Sequence, residues 1–179
     1  MMNLAYDVNI SGLRRGESTA YEGLLKLYGD RSLRIALKYA GNLDDAQDIV
    51  QQTMVKVWQK IESFKDDSPF SNWYFTILVN TCRDWRRGAF YRLRKSFTNV
   101  ELQNKATTQT EVNQVDWING MVLKMSRKMR MIFILHYQED FSMKDIAEIF
   151  RISIDTVRVQ LMKGRRYLRE TYENKAEEE

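Results

Sequence analysis

The chain is 179 residues long and 44% apolar, with 28 Lys and Arg against 24 Asp and Glu. That apolar share excludes a disordered chain and allows one domain or two small ones. Eight glycines and one proline leave few breakers, so the fold class read here is all-α, and a single cysteine, Cys82, excludes an internal disulfide framework.

Residues before Gly16 form a short lead without the cationic start and apolar run of a signal peptide. No window approaches the roughly 20 apolar residues of a membrane span. With the lone cysteine suited to a reducing compartment, a cytoplasmic protein is expected. Thr19 and Glu22 have the spacing of a capping box. A stripe of Tyr21, Leu24, Leu25 and Tyr28 follows, which Gly29 is expected to close. A second helix carries Leu33, Ala36, Leu37 and Ala40, with Gly41 as its stop. Neither helix offers chemistry.

The third helix places Ala46, Ile49, Val50, Val57, Trp58 and Ile61 at helical spacing, with Asp45, Asp48, Gln52, Lys56 and Gln59 opposite. From Leu13 to Asp67 the charges balance, nine against nine. A nucleic-acid groove is therefore not expected there, and the polar face around Asp48, Gln51 and Gln52 suits a protein contact. The stretch from Phe64 to Phe70 reads as an elbow, where Ser68 can cap and Pro69 fits a first turn. The fourth helix sets Phe70, Trp73, Tyr74, Ile77 and Thr81 along one side. Asn80, Arg83, Arg86 and Arg87 come where it is expected to run out into basic loop. An aromatic body with a cationic end suits single-stranded or melted nucleic acid, because bases stack on rings while arginines meet phosphates.

Lys95 to Asp116 lacks helical periodicity and is rich in Thr, Asn and Gln, which reads as a flexible linker. It divides the chain into two small helical domains, 1–94 and 117–179, the second ending in an acidic tail. Trp117, Met121, Leu123 and Met125 lead into a basic stop at Ser126, Arg127 and Lys128, and a further apolar helix runs from Met129 to Tyr137. With His136 the only histidine, no metal site is expected. Ser142 caps a helix with Ile146, Ala147 and Phe150 inward. After a short turn, Ser153 caps a last helix with Ile154, Val157, Leu161 and Leu168 inward. Thr156, Val159, Lys163 and Arg166 face away, with Arg158, Gln160 and Met162 on the flanks. This is a helix-turn-helix pattern, whose second helix enters the major groove. Six cations against one acid lie between Arg83 and Lys95, and six against one between Arg151 and Arg169. Two such patches fit a polyanion contacted at two places, although charge alone does not separate them from two solvated helix faces.

DAQDIVQQTMVKVW followed by SPFSNWYFTILVNTCRDWRR closely resembles the second conserved region of bacterial RNA polymerase sigma factors, of the small extracytoplasmic-function (group four) type. SMKDIAEIFRISIDTVRVQLMKGRRYLRE resembles their region four. The resemblance implies a protein that binds core RNA polymerase (beta-prime coiled coil and beta flap) and directs it to promoter DNA, with no catalytic residues and no cofactor. It implies that Asp48, Gln51 and Gln52 meet polymerase. Phe64, Asp67, Ser68 and Asn80 would capture a base flipped out of the minus-ten element, with Arg83, Arg86 and Arg87 on phosphates. Arg151, Ser153, Thr156, Arg158, Gln160, Lys163, Arg165 and Arg166 would meet the minus-thirty-five element, Arg158 and Gln160 reading bases. An anti-sigma factor is an implied partner. Three positions depart from the family's habit. Gln52 stands for a glutamate, Met125-Ser126 for Leu-Pro, and Arg151 for a glycine, whose backbone freedom an arginine lacks. The alternative reading is a helix-turn-helix regulator that binds DNA without polymerase, usually as a symmetric dimer. An enzyme acting on nucleic acid would have to use Asp44, Asp45 and Asp48, which fit an exposed helix start better than a metal pair.

Overall fold

Every regular element among the described residues is helical. The computed structural model describes the backbone over 8–96 and 120–178, and side chains over 8–85 and 120–174. In chain order these are α1 (Ile10–Arg14), α2 (Ser18–Ala40), α3 (Leu43–Lys60) and a 3-10 turn (Ile61–Ser63), followed by α4 (Phe70–Ser96). The second unit holds α5 (120–124), α6 (Arg127–Phe133) continuing as a π-helix (Ile134–Gln138), α7 (Met143–Phe150) and α8 (Ile154–Glu178). The expected linker lies outside the described residues from 97 onward.

Helix α2 corrects two expectations. It starts at Ser18 behind an extended Glu17 with no side-chain cap, so Thr19 and Glu22 form no capping box. It also runs through Gly29 without a break, for 23 residues. Tyr28, Gly29, Ser32, Ile35, Ala36 and Tyr39 are buried along one stripe, and that burial outweighs the roughly 1 kcal/mol an interior glycine costs. Gly41 stops the helix as expected, with φ of 89° and its amide bonded to Leu37 O at 2.7 Å. Asn42 then caps α3 by accepting the Asp45 amide at 2.9 Å.

In α4 the carbonyl of Pro69 accepts the amides of Asn72 and Trp73 at 3.0 and 3.4 Å. The cap is therefore a backbone carbonyl one residue beyond Ser68, and Pro69 precedes the first turn instead of lying in it. The helix continues to Ser96 where a basic loop was expected after Arg83. Val79 and Cys82 carry its buried side up to that point and Trp85 extends it past. Almost every side chain from Phe70 to Trp85 is wholly or partly covered, because α4 packs against α2 and α3 on one side and α7 on the other. On the first side Tyr74 stacks on Tyr28 at 4.7 Å and shares a 2.8 Å hydrogen bond with Ser32. On the second, Phe75 meets Phe141 edge-on at 4.9 Å.

Two buried charges hold the units together. Arg130, 4% exposed, donates to Val122 O at 3.1 Å, Met125 O at 3.3 Å and Leu123 O, which terminate α5. The same guanidinium donates to Tyr39 O of α2 at 2.9 Å. A helix end leaves its last carbonyls without internal partners, and a five-donor cation satisfies several at once. Glu139, 5% exposed, sits within 3.5 Å of Arg31 and 3.4 Å of Arg34 and Lys38, all on α2. Arg31 also lies over the Phe141 ring at 4.1 Å and donates to the Glu139 carbonyl. Asn72 adds a 2.6 Å bond to Glu148. The apolar cores of the two units merge into one cluster across this seam.

In the second unit Arg127 and Lys128 open α6 after Ser126, and so begin a helix where a stop was expected. Ser142 caps α7 with the full reciprocal box to Asp145. Ser153 accepts the Thr156 amide at 3.1 Å and caps α8. Ile154, expected inward, is 42% exposed, while Val157 and Leu161 form the buried stripe. Arg151 ends α7 in the left-handed conformation, φ 52° and ψ 52°, its amide bonded to Glu148 O. The departure from glycine therefore leaves the turn geometry unchanged and places a side chain where it is strained.

Two stability measurements check this account. Arg130→Met should lower the unfolding free energy by about 3 kcal/mol or more, since several buried carbonyls lose a charged donor; a loss under about 1 kcal/mol in urea titrations would contradict the role given to this guanidinium. Arg151→Gly should raise stability by about 1 kcal/mol, the usual cost of a left-handed L-residue, and a lowered melting temperature would show that the arginine side chain offsets its own strain.

Candidate nucleic-acid interface

Helix α3 carries the first surface. Asp48, Gln51 and Gln52 are exposed together on it, as expected for a protein contact. The structure adds two residues to it, one of which the periodicity had assigned otherwise. Trp58, placed on the inward stripe from sequence, is 60% exposed, and Val55 is 49% exposed. Ala46, Ile49, Val57 and Ile61 fill the buried stripe, and Trp58 stands one residue around from it. The available signal was the pair Val57-Trp58, of which a helix can bury only one side fully.

The elbow after α3 is the second surface. Arg14, at the end of α1, donates to Phe64 O at 2.9 Å and pins the loop from outside. The Phe64 ring is 4% exposed, set edge-on to Phe70 at 5.2 Å and against Trp73 at 5.4 Å. The ring therefore closes the core beneath the loop, where the resemblance implied a residue that captures a base. Asp67 and Ser68 are exposed on the loop. Asn80 is exposed on α4, its carbonyl oxygen 3.4 Å from the Arg83 guanidinium. Asp84 is paired with Lys56 at 3.1 Å. The side chains of Arg86 and Arg87 lie outside the described residues.

The third surface is α8 with the turn before it. Arg151, Ser153, Arg158, Lys163, Arg165 and Arg166 are exposed, and Thr156 and Gln160 are half-buried. Arg158 pairs with Asp155 one turn back. Arg166 pairs with Glu170 at 2.6 Å, a hydrogen bond that raises its pKa. Arg151, Lys163 and Arg165 have no carboxylate partner among the described residues.

A cleft of about 470 Å³ lies on the seam, lined by Tyr39, Met131, Phe150 and Ile152 with Arg83, Arg127 and Lys128 at its polar edge. Sequence reasoning missed it, because its cations come from α4 and α6, which only the fold brings together. Chemically the chain is otherwise quiet. No group of three His, Cys, Asp or Glu that could hold a metal ion occurs among the described residues. Cys82 is buried, and burial pushes its thiol up to about 12. Asp45 is bonded to Asn42 at the start of α3. No helix among the described residues is long and apolar enough to cross a membrane.

Comparison with known proteins accounts for this arrangement. Residues 24–89 match sigma-70 region 2, and residues 116–168 match sigma-70 region 4. The ECF RNA polymerase sigma factor SigW of Bacillus subtilis is 25% identical over 94% of this chain and 97% of its own length. The ECF RNA polymerase sigma factor SigL of Mycobacterium tuberculosis is 29% identical over 90% of this chain and 94% of its own. Among solved structures, the sigma factor RpoE of Bartonella quintana, in complex with the anti-sigma factor NepR, superposes with a TM-score of 0.69 at 25% identity, covering 86% of this chain and 96% of that one. CnrH, in complex with the cytosolic domain of CnrY, shares the fold with a TM-score of 0.70 at 21% identity over 95% and 98% of the two chains. A polymerase-independent regulator would not need region 2 ahead of its helix-turn-helix. The chain belongs to the sigma-70 family and is an RNA polymerase sigma factor of the extracytoplasmic-function type.

Proposed function

We propose that this sigma factor joins core RNA polymerase through the exposed face of α3, opens promoter DNA against the elbow and α4, and holds the upstream duplex with α8. The observation that carries the reading is the pairing of two cationic stretches, one in each unit, with a charge-balanced helix face ahead of both in sequence. On α3, Asp48, Gln51 and Gln52 supply polar contacts, and the exposed Trp58 and Val55 supply apolar area that such a contact would bury. Gln52 hydrogen-bonds where a glutamate would carry charge.

At the elbow, an extruded base loses a few kcal/mol of stacking, which the receiving pocket must return. Asp67, Ser68 and Asn80 form the polar rim, while Phe64 lies beneath as part of a rigid aromatic floor with Phe70 and Trp73. Arg83, Arg86 and Arg87 meet phosphates, which give affinity without sequence choice. On α8, Arg158 and Gln160 read base edges, and Ser153, Thr156, Arg151, Lys163, Arg165 and Arg166 fix the helix on the backbone. Arg158 must exchange Asp155 for a base, a small cost for a pair exposed on both sides. No step calls for a catalytic residue or a cofactor. An anti-sigma factor is the regulatory partner expected, and the seam cleft, cationic above an apolar floor, suits an acidic amphipathic segment of it.

The closed arrangement cannot serve both DNA sites. Roughly 25 base pairs of duplex separate the two elements, about 85 Å at 3.4 Å each. A folded chain of this length has a radius of gyration of about 16 Å. The units must therefore part on polymerase.

Run-off transcription with purified core polymerase should depend on this chain, and failure on every promoter together with absent polymerase binding would sink the reading. Asn80→Ala should slow promoter opening about tenfold or more while leaving duplex binding within about twofold; equal losses would remove Asn80 from base capture. Dyes attached through cysteines placed at exposed Lys26 and Glu173 should lose energy transfer when core polymerase is added. Cys82, buried and held as a thiol, should not compete for the label. Unchanged transfer would mean that the closed form itself is the one polymerase binds.

A further inference from the structure

The helix that reads the upstream duplex exposes four large apolar side chains, Ile154 and Tyr172 toward its ends and Val159 and Met162 among the cations between them. Val159 and Met162 are 41% and 55% exposed, about one turn apart on the outward face of α8. Their direction is fixed from behind. Val157 and Leu161 are buried at 0% and 3%. Gly164 lies so near α6 that an added Cβ would come within 3.1 Å of the Phe133 ring. Helix α8 therefore cannot roll to cover them. The same helix and the turn before it expose Arg151, Arg158, Lys163, Arg165 and Arg166, against Asp155 and Glu170. An apolar pair set among so many cations fits a polyanion with an apolar spot on it, and suits an apolar protein surface poorly.

Duplex DNA offers one such spot. In the major groove only thymine shows a methyl group, at C5. Val159 lies within the first two turns of α8, the part of a recognition helix that meets base edges. We propose that Val159 selects a thymine in the upstream element by packing on its C5-methyl, with Met162 covering the contact from water. The contact falls at the base step read by Arg158 or at its neighbour, so the helix reads one hydrogen-bonding edge and one methyl side by side. The inference rests on α8 being the upstream reader.

The test uses the full chain with core polymerase, on a promoter selected from random duplexes. Each thymine of the upstream element is replaced singly by deoxyuridine, which keeps every hydrogen-bonding group and lacks the methyl. One replacement should weaken binding about fourfold, the worth of one buried methyl group. Val159→Ala should bind the thymine duplex about as weakly, and should lose nothing more on deoxyuridine. Alanine is the better helix former at this exposed position, so the variant keeps its fold. If no deoxyuridine matters to the wild type, or if Val159→Ala keeps the discrimination, the proposal is overturned. If Val159→Ala instead weakens association with polymerase in the absence of DNA, the face is a protein contact and the proposal is again overturned. Scrambling the whole upstream element separates the two levels. If that too leaves wild-type binding unchanged, the upstream-reader assignment itself has failed; if scrambling matters and deoxyuridine does not, only the methyl contact has.

Discussion

An arginine in a protein interior keeps its charge, so it must be surrounded by acceptors or it costs several kcal/mol. Arg130 meets that demand with carbonyls from two places far apart in sequence, the end of α5 and Tyr39 at the end of α2. This fixes where the second unit sits on the first. Glu139 repeats the arrangement with the opposite sign, drawing Arg31, Arg34 and Lys38 from α2. The two-sided burial of α4 is the consequence. Once α7 is held against it, Phe75, Val79 and Cys82 are covered on a side that would otherwise face water.

The surfaces proposed to read DNA depend on the same frame. Helix α8 packs on α6 and α7, and α6 begins three residues before Arg130. The elbow is fixed by Arg14 from α1 and by the ring cluster of Phe64, Phe70 and Trp73. Each surface is thus an exposed polar rim over a packed support, the condition for a site that must hold a base or a groove in one geometry.

Local signals were legible in the sequence wherever the cause was local. Gly41 stops α2 because a left-handed residue is needed there, and Ser142 and Ser153 cap because their hydroxyls reach the third amide ahead. The stripe of Ala46, Ile49 and Val57 follows from helical period alone. Errors arose where the cause lay elsewhere in the chain. Gly29 continues a helix because residues distant in sequence cover it, and α4 runs past Arg83 because Trp85 has somewhere to bury. Trp58 has the composition of a core residue and the position of a surface one. Arg130 and Tyr39 are 91 residues apart, and Glu139 lies 101 to 108 from its cations. No window of sequence contains such a pair, so nothing local marks these charges as the joint between the units. The roles of the site residues came from family likeness, because exposure and charge state where a polyanion can lie and do not state which base it presents.

The chemistry of the seam matters as much as its strength. A joint made only of apolar side chains would not be weakened by screening, and salts excluded from the protein surface would tighten it. Here Arg34 is 56% exposed and Lys38 30%, while the carboxylate they meet is 3% exposed. The outer cations are within reach of counterions, and the inner anion is not. Such a pair weakens in steps, first through screening of the exposed partners and then through solvation of the carboxylate. A protein surface that offers the second unit other contacts can therefore displace the seam piecewise, without first exposing the merged core to water. Phe75 and Phe141 belong to the apolar part of the seam, within the core cluster that the two units share. Burying these rings favours the closed arrangement wherever no other surface covers them.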